Sequence, residues 1–161
     1  MKVDIEQQGR LGSKVGVTFG LLTGVSIIVF WLLLRVSGLA EKLLDLRHIA
    51  VLILFFFTYK AISRISKLSG GPVGHFSGFG LSIFIAAIGY GLSSAFLFVY
   101  LQLDHTFMQF LHEHGPFGQF LTPLHVALWE VSEGLGMQVI FGLIVMELFK
   151  ALNRKNESPK D

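Results

Sequence analysis

The feature that most constrains this chain is a set of long uninterrupted apolar runs. From Val15 to Leu34 about twenty residues pass without a charged side chain. A run of that length spans a hydrocarbon core of roughly 30 Å at 1.5 Å per residue. Lipid offers the backbone no hydrogen bonds, so each such run is expected to be helical. The runs place helix one at about Val15 to Val36, helix two at Leu46 to Arg64, helix three at Phe79 to Leu103 and helix four at Pro123 to Leu152. The expected fold class is therefore all-α: an integral membrane bundle of four transmembrane helices with a short outer interfacial helix.

Composition supports that class. Of 161 residues, 52% are hydrophobic and 15% charged, against about 25% charged in a typical soluble domain. The net charge of +2 gives no reason to expect a nucleic-acid partner. There is no cysteine, which excludes disulfides, thiolate metal ligands and thiol catalysis. The first apolar run is too long for a signal-peptide core and no small-x-small cleavage pattern follows it, so it reads as a retained helix.

Lysine and arginine set the expected orientation. Lys2, Arg10 and Lys14 precede helix one, Lys60, Arg64 and Lys67 lie around the end of helix two, and Lys150, Arg154, Lys155 and Lys160 close the chain. In a four-helix topology these ten share one side, while Arg35, Lys42 and Arg47 are the three on the other. The positive-inside rule then puts both termini in the cytoplasm. The expected organisation is a cytoplasmic segment 1–14, a transmembrane domain 15–152 and a cytoplasmic tail 153–161.

The connections are also patterned. Glu41, Lys42, Asp45 and Arg47 make a polar link between helices one and two, and residues 66–80 read as a glycine-rich turn into helix three. Asp104 is a good N-cap, with Phe107, Met108, Phe110 and Leu111 following at helical spacing and Gly115-Pro116 as a stop, so a short helix is expected near 105–114 in the outer interface. Phe117 and Phe120 extend that apolar surface. Thr122-Pro123 reads as N-cap and first residue of helix four.

Three groups are candidates for function. Gly12, Gly16, Gly20 and Gly24 recur every four residues and form a smooth, zipper-like stripe on helix one. Stripes of this kind let a second helix approach closely, either inside the chain's own bundle or from a homo-oligomer or partner membrane protein. Gly74, Gly78, Ser82 and Ala86 make a looser counterpart on helix three.

The second group is acidic. Counting back from Glu147 as the inner boundary puts Glu130 and Glu133 roughly 5–10 Å inside the outer one. A charge in lipid costs ~2.5–3.5 kcal/mol at the centre and less near the edge. These acids are expected to face the bundle or a wet pocket as a proton, cation or substrate site, with His125 and Trp129 on a neighbouring line. The bland reading is an interfacial helix end with both acids in water.

The third group is histidine: His105, His112, His114, His125 and His48 are expected outside, and only His75 inside. His105, His112 and His114 are the candidates for a metal or a pH response. No His-Glu-x-x-His motif occurs, and His-x-His on a helix points its two rings to different faces.

No Walker loop, serine-nucleophile motif or paired catalytic signature appears, so no enzyme and no cofactor is expected. No charged residue falls in the middle of a span, where the polar residues are Thr23, Ser26, Ser82, Tyr90, Ser93, Ser94 and Gln138. That argues against an autonomous ion pump. The expected function is an interaction protein (an accessory, assembly or regulatory subunit) whose surroundings are membrane lipid. The rival is a small transporter or sensor built on Glu130, Glu133 and the outer histidines.

The run Lys14-Val15-Gly16-Val17-Thr18-Phe19-Gly20-Leu21, the Gly70-Gly71 loop leading through Phe76-Ser77-Gly78-Phe79-Gly80-Leu81, and the segment from Glu133 through Gly142 to Lys150 resemble a family of small four-helix membrane proteins, common in Bacteroidota and of unknown function. The resemblance implies a four-helix inner-membrane protein and carries no activity with it. The outer histidines are not part of that family's pattern.

Overall fold

A computed structural model of the chain describes residues 5–39, 49–71, 73–115 and 118–157, with the side chains of 5–9 and 151–157 left aside. The polar link Glu41 to Arg47, His48, Pro116 and Phe117 lie outside the described residues. The described residues form helices and short connections, with no strand among them: α1 (Ile5–Val36), α2 (Ala50–Ser69), α3 (His75–Leu103), α4 (His105–His114), a 3-10 turn (Gly118–Phe120) and α5 (Pro123–Glu157).

Three of these, Arg10–Val36, His75–Leu103 and Pro123–Lys150, are long and apolar enough to cross a membrane. The described part of α2 does not join them, because Lys60, Arg64 and Lys67 charge its second half. Its first half, which includes Phe55, Phe56 and Phe57, is apolar.

The helix ends depart from the sequence expectation in a consistent direction. α1 begins ten residues before Val15, at Ile5, and α5 runs on to Glu157. The described residues of the two terminal segments, 5–14 and 153–157, are therefore helical, since a helix that leaves an apolar layer keeps its own hydrogen bonds. The turn expected over 66–80 is shorter. α2 ends at Gly70, whose φ of 68° is the left-handed conformation that suits glycine, and α3 begins at His75. Gly78 and Gly80 are thus inside α3.

Pairings along the helices fix the arrangement. Gly16 faces Phe84, Gly24 faces Gly89, and Arg35 meets Asp104, so α1 and α3 run parallel as neighbours. Gly142 against Ser82 and Ser94 against Ala127 make α5 antiparallel to α3. Phe55 with Phe141 and Tyr59 with Phe149 set α2 beside α5. The helices form a ring in the order α1, α3, α5, α2. Arg10, Lys14, Lys67 and Lys150 lie at one end of it, where His75 also approaches Glu147 at 4.0 Å. Arg35 lies at the other.

Polarity is inverted relative to a water-soluble core. Thr23, Thr58, Ser82 and Gln138 are 0% exposed, while Leu33 is 63%, Leu52 60% and Ile140 57% exposed. Water would penalise that outer surface, whereas lipid would not. The chain is read as a membrane protein on this ground and on the three apolar helices.

α4 appears where the sequence places it, capped by Asp104, whose carboxylate accepts from the Phe107 N–H at 2.9 Å. Phe107, Met108 and Leu111 are buried against Leu97 and Leu101 of α3, with Trp31, Leu34 and Val126 closing the cluster. The apolar face is spent on the bundle's own end, and Phe120 is exposed. Gly115 ends the helix in extended backbone (φ −80°), with its N–H on Leu111 O.

Candidate functional site

The glycine stripe is used inside the chain. A Cβ on Gly16 would sit 2.6 Å from the Phe84 ring, one on Gly20 2.7 Å from Ile88 Cβ, and one on Gly24 2.8 Å from the Gly89 carbonyl oxygen. The three glycines let α1 lie directly on α3. Gly12 has nothing within 4 Å and takes no part. The counterpart stripe on α3 turns the other way: Gly78 meets Met146 and Ser82 meets Gly142, both of α5.

Glu130 and Glu133 point in different directions. Ser93 Oγ of α3 donates to Glu130 Oε1 at 2.9 Å, inside the α3–α5 contact. Glu133 instead accepts from the indole N–H of Trp129 at 3.1 Å on the outer surface. Three residues turn a helix through about 300°, which leaves the two acids some 60° apart. That is enough to put one on a helix contact and the other beside it. Both still lie within electrostatic reach of Tyr90.

Glu130 begins a line on α5. Glu130, Gly134, Gln138 and Gly142 follow at intervals of four and each meets a hydroxyl-bearing side chain from another helix. These are Ser93 for Glu130, the Tyr90 ring for Gly134, Thr58 for Gln138 and Ser82 for Gly142. The two glycines make room for Tyr90 and Ser82. A seam of neutral polar groups thus descends from the acid into the bundle. Thr23 and Ser82 satisfy their own hydroxyls on Phe19 O and Phe79 O, so they cost the core little.

The histidines do not assemble. Among the described residues no three His, Asp or Glu side chains come together as a metal site. His112 Nε2 lies 2.8 Å from Leu121 O, His114 Nδ1 3.1 Å from Phe110 O and His125 Nδ1 3.1 Å from Phe120 O. These rings tie down the 3-10 turn and the end of α4. His105 is exposed at the start of that helix.

A second polar centre is absent from any sequence reading. Asp104 Oδ2 accepts from Arg35 Nη2 at 2.9 Å and Nε at 3.1 Å, and from the Tyr100 hydroxyl at 2.6 Å. The Arg35 guanidinium also lies 5.0 Å above the Phe107 ring. Trp31 packs edge-on to Tyr100 and Phe107. Burial pushes the Asp104 carboxyl up, but the bonds from Tyr100, the Phe107 N–H and Arg35 outweigh it and hold the group below the usual carboxylate range. This network fastens the end of α1 to the α3–α4 corner and is structural.

No protein-family model matches this chain, and no curated protein or solved structure is similar to it.

Proposed function

We propose that the chain is a four-helix, multi-pass protein of the bacterial inner membrane, with both termini cytoplasmic, that binds a proton at Glu130 as a small transporter or sensor. The supporting observation is the position of Ser93 Oγ, 2.9 Å from Glu130 Oε1 and 3.3 Å from Tyr90 O. An ionised Glu130 accepts the Ser93 proton. A neutral Glu130 donates its own proton to Ser93 Oγ, which then donates to the Tyr90 carbonyl. Ser93 Oγ and Glu130 Oε1 thus stay hydrogen-bonded to each other in either state, which suits a reversible proton site. The accessory-subunit reading loses its main support once Gly16, Gly20 and Gly24 are spent on α3.

Infrared spectroscopy of the protein in lipid tests the site. A protonated-carboxyl band that titrates is expected in the native protein and in Glu133→Gln, and is expected to vanish in Glu130→Gln while that variant elutes normally. A band untouched by Glu130→Gln would overturn the assignment.

Orientation has its own test, made simple by the lack of native cysteine. A cysteine at exposed Gln119 is expected to react with an impermeant maleimide from outside intact spheroplasts. Labelling only after the membrane is opened would reverse the topology.

A further inference from the structure

Gln138 lies one turn of α5 inward from Gly134 and two from Glu130. It is 0% exposed, as is its neighbour Thr58 on α2. The carboxamide Nε2 donates to Thr58 Oγ1 at 3.4 Å, the long end of the hydrogen-bond range, and Oε1 accepts from no described group. Turning the amide over moves the shortfall from Oε1 to Nε2 without removing it. A buried carboxamide with one weak bond out of four is costly, and the same residue volume was open to methionine or leucine at no such cost.

We infer that Gln138 and Thr58 together bind a water molecule in the middle of the bundle, the station next inward from Glu130 on the α5 seam. Gln138 Oε1 takes one of its protons and Thr58 Oγ1 offers a second polar contact, which supplies two of the two to four polar partners an internal water takes. The groups here are neutral oxygens and an amide, and among the described residues no carboxylate is hydrogen-bonded to either side chain. The site therefore suits water or a proton carried on water rather than a metal cation. The site itself stands on Gln138 and Thr58, and only its place on a route for protons rests on the reading of Glu130.

The test is dipolar transfer from water to side-chain amides, read by rotating-frame NMR on protein labelled with 15N-glutamine in deuterated detergent. Exchange and dipolar transfer have opposite signs in that experiment. Gln109 is exposed and is the positive control. Gln138→Met identifies the Gln138 signal by its loss. If that variant does not fold, Thr58→Val identifies it by its shift and is expected to weaken the transfer. The expected result is water transfer at Gln138 in both the native protein and Glu130→Gln. Transfer in Glu130→Gln upholds the water site even where the infrared band shows that Glu130 holds no proton. A Gln138 amide silent toward water while Gln109 responds would overturn the inference.

Discussion

Gly24→Ile is expected to destabilise the protein by ~3 kcal/mol or to prevent the bundle from assembling, at the upper end of what overpacking costs. The size follows from what the new side chain would meet. Its Cβ alone would lie 2.8 Å from the Gly89 carbonyl oxygen and 3.0 Å from Leu92 Cβ. A flexible side-chain tip can swing aside, but a backbone carbonyl held in its own helix cannot. The helices must part, and Gly16 and Gly20 lie in the same contact. Gly89 reciprocates: a Cβ there would lie 3.0 Å from Thr23. Equilibrium unfolding in mixed detergent reads the loss, and size-exclusion chromatography reads assembly. Gly12→Ile and Gly136→Ile are the controls, because neither position has anything within 4 Å. Both are expected within ~0.5 kcal/mol of native or slightly above it, since isoleucine suits a helix better than glycine. A Gly24→Ile protein that elutes and unfolds like the native one would show that α1 does not lie on α3 through these glycines.

That stripe was visible in the sequence as a period of four, and its partner was not. Periodicity says which residues share a face, but not which of several apolar helices will cover it. The same limit explains the two acids. Their depth follows from counting residues, whereas the 60° that turns Glu130 onto Ser93 and leaves Glu133 with Trp129 follows from how α5 rolls against α3. Gln138 and Tyr90 stood out as polar residues in apolar surroundings. Thr58 was hidden at the end of the Phe55-Phe56-Phe57 run, although a lone threonine there is the same signal. The histidines bond locally for a physical reason. A helix end and a tight turn expose backbone carbonyls, and His112, His114 and His125 bond to those. Arg35 and Asp104 are 69 residues apart and no local pattern links them.

That pair carries the other large expected effect. Asp104→Ala is expected to cost ~3 kcal/mol, and Asp104→Asn roughly half of that. Asp104 has two jobs, and the two variants separate them. As the N-cap of α4 it is worth ~1 kcal/mol, which asparagine largely keeps. As the acceptor for Arg35 and Tyr100 it holds an ion pair whose side chains are 21% and 18% exposed. This lies between the surface case of ~0–1 kcal/mol and the buried case of ~3–5 kcal/mol for removing one partner. The folded carboxyl is held below its unfolded value, so its contribution is fully present above the unfolded pKa and is lost as pH falls through the folded one. The stability gap between native protein and Asp104→Asn is therefore expected to hold from neutral pH through mild acid and to close only below the usual carboxylate range. Trp31, packed on Tyr100 and Phe107, reports the local event: in a Trp129→Phe background its emission is expected to shift to the red in Asp104→Ala at neutral pH. If the asparagine variant unfolds like the native protein, or if the gap ignores pH down to the acid limit, the Arg35 pair contributes nothing; if the alanine and asparagine variants unfold alike, the cap contributes nothing.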